Sequence, residues 1–160
     1  MKALVKTAYG EGNCHIMNLE EIPPKPTEVT ILVEWAGICG TDLGVFKSTV
    51  QHMVPVIMGH EFSGIIEKVG SKVISFEPGD RVVGETSIDT CGICENCLQG
   101  YYNACLKRKG LGRTVHGVFR KKINLQYKLI HKIPEKVTTQ TAVLCEPFAS
   151  CYHAVVERSK

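Results

Sequence analysis

An antiparallel β-fold, a barrel or a sandwich, is what this 160-residue sequence predicts. Three observations carry that expectation. Short stretches with strand periodicity succeed one another up to about Pro134, turns rich in Gly and Pro separate them, and helical periodicity begins only afterwards. Chains patterned in this way close into barrels or pack as two sheets.

Met1 to Tyr9 reads as the first strand. In the second, Val29, Ile31, Val33 and Trp35 alternate with Thr30, Leu32, Glu34 and Ala36, the period of a partly buried strand. Phe62 to Val69, Val73 to Phe76, Arg81 to Glu85 and the stretch Val118 to Ile133 read similarly, punctuated by turn residues such as Pro78, Gly79 and Asp80. After Pro134 the pattern changes. Phe148, Cys151, Tyr152, Val155 and Val156 fall on one face of an amphipathic helix expected over about 147–158. Pro147 suits its first turn, where a missing N–H costs nothing, so Glu146 stands at the helix entrance.

Composition sets bounds. With 44% hydrophobic and 22% charged residues, the chain has material for one domain, 1–160, with a real core. The longest apolar run, Met53 to Met58, is too short to cross a bilayer, and the lysines of the first residues precede no apolar signal segment. A cytoplasmic protein with no membrane partner is expected. A net charge of +3 and a pI near 8.4 fall short of the basicity that argues for nucleic acid. Lys107, Arg108 and Lys109 form the densest basic run, directly after a cysteine cluster whose metal complex would be negatively charged.

That cluster is the strongest signal in the chain. Cys91, Cys94, Cys97 and Cys105 lie in CGICENCLQGYYNAC, a C-x2-C-x2-C-x7-C pattern. Four thiols this close in sequence can wrap one tetrahedral ion at little chain-entropy cost, and four thiolates leave no open position, so a structural zinc is expected. Two disulfides are disfavoured by the absence of a secretion signal, and a zinc ribbon would need two separated C-x2-C pairs.

Three further segments carry possible ligands: Cys39 in GICGTD, His60 with Glu61 in MGHEFSG, and Cys145 with Glu146 in LCEPF. Each alone is weak, since a lone Cys is usually a small core residue and a lone His a satisfied polar one. Taken in order, GICGTD, PVIMGHEFSG, PGDRVVG, the four-cysteine run and EKVTTQTAVLCEP resemble the zinc-dependent medium-chain alcohol and polyol dehydrogenases, of the sorbitol and threonine dehydrogenase type. The resemblance covers essentially the whole chain.

It implies a mainly β, GroES-like barrel with a few short helices, one structural and one catalytic zinc, and a C-terminal helix leading to a Rossmann domain. Cys39, His60 and Glu146 resemble the catalytic zinc ligands, Glu61 the neighbouring carboxylate that can take the fourth place, and Asp42 the partner that orients His60. Relatives with a Cys as third ligand leave Cys145 as the alternative to Glu146, and adjacent side chains normally diverge. Thr41 resembles the hydroxyl that passes on the alcohol's proton. A His that commonly follows five residues after the zinc Cys is here Gly44, and His52 is not expected to replace it.

The dinucleotide fingerprint G-x-G-x-x-G is missing; the nearest string, Gly110 to Val115, lacks the third glycine. NAD or NADP would therefore enter only through a domain outside these residues. The expectation is the catalytic part of an enzyme that oxidises a small-molecule alcohol or polyol, inactive alone and a possible homo-oligomer when whole. The alternative is a stand-alone zinc-binding module that serves as an interaction scaffold without catalysis.

Overall fold

The computed structural model describes residues 1–157. Ten strands and four short α-helices make up a mainly β structure. The principal sheet has five antiparallel strands in the order β10-β6-β5-β3-β9, formed by Ile130–Lys132, Arg81–Gly84, Glu61–Val69, Glu28–Gly37 and Lys122–Gln126. Beside it, β2 (Cys14–Asn18), β1 (Lys2–Lys6) and β4 (Val56–Ile57) form a three-stranded antiparallel sheet.

One face of the large sheet holds the main core, where Val29, Ile31, Phe62, Ile66, Val82, Val118 and Ile123 are all nearly inaccessible. Two smaller clusters lie along β1 and β4, and Phe119 packs against both the main core and the cluster of Val45, Val56 and Met58. Leu4 N–H donates to Phe119 O at 2.9 Å, tying β1 to the segment before β9, and Met58 N–H donates to Leu4 O at 3.1 Å, extending the β1–β4 pairing.

Several expected elements change at their ends. The strand expected over Met1 to Tyr9 stops at Lys6, because the chain turns back through Gly10, Gly12 and Asn13, all at positive φ. Val73 to Phe76 forms no strand; it lies in the turn region between β5 and β6, with Ile74 at 93% exposure. Val118 to Ile133 is broken into β9 and β10 by a short 3-10 turn, Tyr127–Leu129. In β3 the alternation fails near its end, since a bulge between Val33 and Trp35 shifts the register and leaves Trp35 44% exposed.

Four helices connect the strands. α1 (Gly40–Lys47) follows β3, α2 (Glu95–Leu98) lies in the cysteine loop, α3 (Thr139–Ala142) is tied to β5 by Ser63 Oγ donating to Thr139 O at 2.6 Å, and α4 spans Cys145–Tyr152. A π-helical turn, His153–Glu157, continues α4. The expected helix therefore forms, although its last position, 158, lies outside the described residues. Its apolar face is open: Phe148, Tyr152 and Val155 are 68, 48 and 68% exposed.

Candidate metal centres

The four-cysteine loop projects from a small hairpin, β7 (Ser87–Asp89) against β8 (Lys109–Gly110), closed by an ion pair between Lys109 and Asp89 at 2.9 Å. Positive φ at Gly92 and Gly100 lets the intervening chain fold on itself. All four sulfur atoms lie within 4.8 Å of one another. Their contacts are 3.9 Å for Cys91 to Cys97, 3.5 Å for Cys94 to Cys97 and 3.6 Å for Cys91 to Cys105.

These spacings discriminate between chemistries. A disulfide needs about 2.05 Å. A tetrahedron of thiolates about 2.3 Å from a central zinc has edges of about 3.8 Å, close to the contacts found. The donor set therefore fits the ion. Backbone N–H groups of Ile93 and Cys94 pull the Cys91 thiol down to about 6, whereas burial pushes Cys97 up to about 12. One thiolate forms readily and its neighbour only when a cation arrives. Lys109 is taken by Asp89, and Arg108 Nη1 donates to Asn103 O at 2.8 Å, so two of the three clustered cations brace the loop.

The second cluster brings together Cys39, His60 and Glu61, again within 4.8 Å. It is built by strand register. Gly37, the last residue of β3, pairs with Glu61, the first of β5, which sets Cys39 beside His60. A side chain at Gly37 would run into the Glu61 carboxylate, so only glycine leaves the acid its seat. Cys39 is the N-cap of α1 in extended geometry, and Asp42 in the first turn accepts its N–H at 2.9 Å.

Asp42, 2% exposed, also accepts the Gly59 N–H at 3.1 Å and faces His60 Nδ1 at 3.5 Å. Nδ1 is thereby engaged and Nε2 is the nitrogen available to a cation. Gly59 holds φ at +87°, with Phe119 filling the space a Cβ would need, which aims the next residue, His60, inward. Burial lowers the His60 pKa, but Asp42 and Cys39 outweigh it and raise it to about 9. The same field that holds a proton there would attract a metal ion.

Glu146 lies outside the three-residue cluster. It lies near enough to sense it: burial raises its carboxyl pKa, His60 opposes that, and Glu61 and Asp42 add to it. Glu146 and the exposed Cys145 line a groove of about 420 Å³ with Phe62, Ser87, Arg108 and His131. Thr41 Oγ is 3.8 Å from Cys39 Sγ. His52 stands apart, 7% exposed, donating from Nδ1 to Val50 O at 2.8 Å. Gly44 backs directly onto Val50, which leaves no room for a side chain there. The seats at Gly37 and Gly59 escaped sequence reasoning, although a glycine directly before the His-Glu pair was visible.

Comparison with known proteins decides the family. The alcohol dehydrogenase GroES-like domain matches residues 25–135. The chain belongs to that family. It is 39% identical over 159 residues to a sorbitol dehydrogenase of Halalkalibacterium halodurans, covering 99% of this chain and 46% of the relative. Among solved structures, a protein described as a zinc-binding dehydrogenase from Sinorhizobium meliloti bound to NADP superposes with a TM-score of 0.89 at 32% identity, covering 96% of this chain and 44% of that one. Galactitol-1-phosphate dehydrogenase of Escherichia coli gives 0.84 at 30% identity, with coverage of 96% and 44%. The chain thus spans about half the length of the relatives it matches. Among the described residues no helix is long and apolar enough to cross a membrane.

Proposed function

We propose that residues 1–160 form the zinc-holding, GroES-like catalytic domain of an NAD(P)-dependent alcohol or polyol dehydrogenase, acting on a small-molecule substrate in the cytoplasm. The observation that carries this reading is the cluster of Cys39, His60 and Glu61, with the Glu146 carboxylate near it on a groove lined with polar groups. Similarity to sorbitol and galactitol-1-phosphate dehydrogenases supports the reaction class.

The donor set of one thiol, one imidazole and one carboxylate suits a catalytic zinc with an open position. Cys39, His60 and Glu146 would hold the ion, Glu61 beside them would take or yield the fourth place, and Asp42 would fix the His60 tautomer. A zinc ion there supplies Lewis acidity, which makes an alcohol hydroxyl acidic enough to ionise near neutral pH. Thr41 stands beside Cys39 and can accept the proton released by a bound hydroxyl. With Gly44 closed against Val50, the proton continues through water or another group.

Four thiolates around a second ion would keep the 91–105 lobe ordered without taking part in chemistry. The hydride acceptor, NAD or NADP, would come from a domain outside these residues. Zinc analysis of the purified chain tests the reading: about two equivalents are expected, one of them removed by mild chelation. A single equivalent, held by the four cysteines, would favour the non-catalytic scaffold instead. Reading the coding sequence beyond codon 160 separates the two further, since the enzyme requires a strand, a G-x-G-x-x-G turn and a helix there.

A further inference from the structure

Lys6 is completely buried, and a fully buried lysine is rare unless its charge is compensated. Its ammonium donates to three backbone carbonyls: Gly10 O, Gly12 O at 2.6 Å and Phe46 O at 2.8 Å. Among the described residues no carboxylate shares the cage. Gly10 and Gly12 belong to the turn after β1, while Phe46 lies in the last turn of α1, the helix whose N-cap is Cys39. A cation at that end also complements the helix dipole.

The backbone of Lys6 reaches the other ligand segment. It pairs with Val56 in β4, four residues before His60. A single residue therefore links the far end of the helix bearing Cys39, Thr41 and Asp42, through its side chain, to the strand that leads to His60 and Glu61, through its backbone. Ser48 adds a second tie at the same helix end, accepting the Gly10 N–H at 3.0 Å and donating to Gly10 O at 3.2 Å.

From this geometry we infer that Lys6 is a positioning residue for the Cys39–His60–Glu61 centre, acting through α1. The inference rests on the metal-site reading above. An eight-residue helix is about 12 Å long, so a tilt of about 5° about its C-terminal end moves its N-terminus by about 1 Å. Metal–ligand distances tolerate only about 0.2 Å. The bond from Lys6 to Phe46 O holds that end of α1 against the turn after β1, and its loss is expected to let Cys39 shift relative to His60 by more than this tolerance.

The test compares zinc and Co²⁺ affinities of the full chain with those of Lys6→Met, which keeps the shape and removes the donors. The wild-type count comes first: absence of a second equivalent would overturn the metal-site reading and this inference with it. Given two equivalents, Lys6→Met is expected to weaken the labile one at least tenfold and to broaden its cobalt d–d bands, with the four-thiolate equivalent unchanged. Ile123→Ala, a lesion in the main core, controls for general stability loss. Equal weakening of the labile site in both variants, or in neither, overturns the proposal. If Lys6→Met does not fold, Ser48→Gly carries the test, because glycine suits the φ of 57° at that position while losing the second tie. A severalfold loss at the labile site is then expected, and an unchanged affinity overturns the proposal.

Discussion

At His60 the opposing forces set a measurable pH dependence. Its pKa in the folded, metal-free chain is about 9, against 6.5 when unfolded, with burial opposing the rise and Asp42 and Cys39 producing it. A raised pKa stabilises the fold fully below pH 6.5, and that contribution is lost as pH climbs through 9. The melting temperature of the metal-free chain should therefore fall across this window, and His60→Gln should flatten the decline. Zinc must displace the same proton, so its affinity at this centre should rise over the window and its binding at pH 7 should release protons. Calorimetry in buffers of different ionisation heat measures the release. Among the carboxylates, Glu146→Ala should remove the labile metal, Glu61→Ala should weaken it about ten- to hundredfold, and Cys145→Ala should cost nothing. Competition with a chromophoric chelator ranks the three; a dominant loss in Cys145→Ala would move the centre onto the thiol. The donor residues were legible because Cys, His and Glu are chemically distinctive. The register that seats Glu61 against Gly37 was not, since it is a long-range pairing.

Among the elements, the long strands β3 and β5 were legible, whereas the exposed β2 and the strands of two or three residues were not. β4, β7 and β8 have too few residues to show a period, and α1 and α3 carry no amphipathic repeat. Val73 to Phe76 has strand composition yet no partner strand, and without a partner its backbone turns instead. The 91–105 lobe obeys a different rule. Ile93, Leu98 and Leu106 are 76, 75 and 94% exposed, so apolar burial contributes little to its order. Metal ligation by the four cysteines, as proposed, would supply what packing does not. Removing both metals with a strong chelator should abolish hydrogen-exchange protection of the lobe amides, including Leu98 and Gln99, while those of β3 and β5 stay protected. Parallel loss in the lobe and the large sheet would show that the metal holds the whole fold, contrary to this division.

For the whole molecule, burial is unevenly distributed, and this separates residues that stabilise the chain from residues that wait for something else. Ile66 is 1% exposed in the main core and Phe148 is 68% exposed on α4. Replacing Ile66 by Ala should cost about 2–5 kcal/mol, whereas Phe148→Ser should change stability by no more than about 0.5 kcal/mol. Denaturant unfolding measures both. Periodicity marks an apolar face on α4, and Phe148 and Tyr152 on that face remain 68 and 48% exposed, because periodicity reports that a face seeks a partner and not where the partner lies. Cofactor binding can be argued from the same residues. A dinucleotide pyrophosphate is held by a glycine turn at a helix N-terminus following a strand, and the 160 residues contain no such turn. Titration of the zinc-loaded chain with NAD and with NADP should give no heat at millimolar cofactor. Micromolar binding by the 160-residue chain alone would mean that the groove beside Glu146 recognises the cofactor by itself, and would sink the two-domain reading.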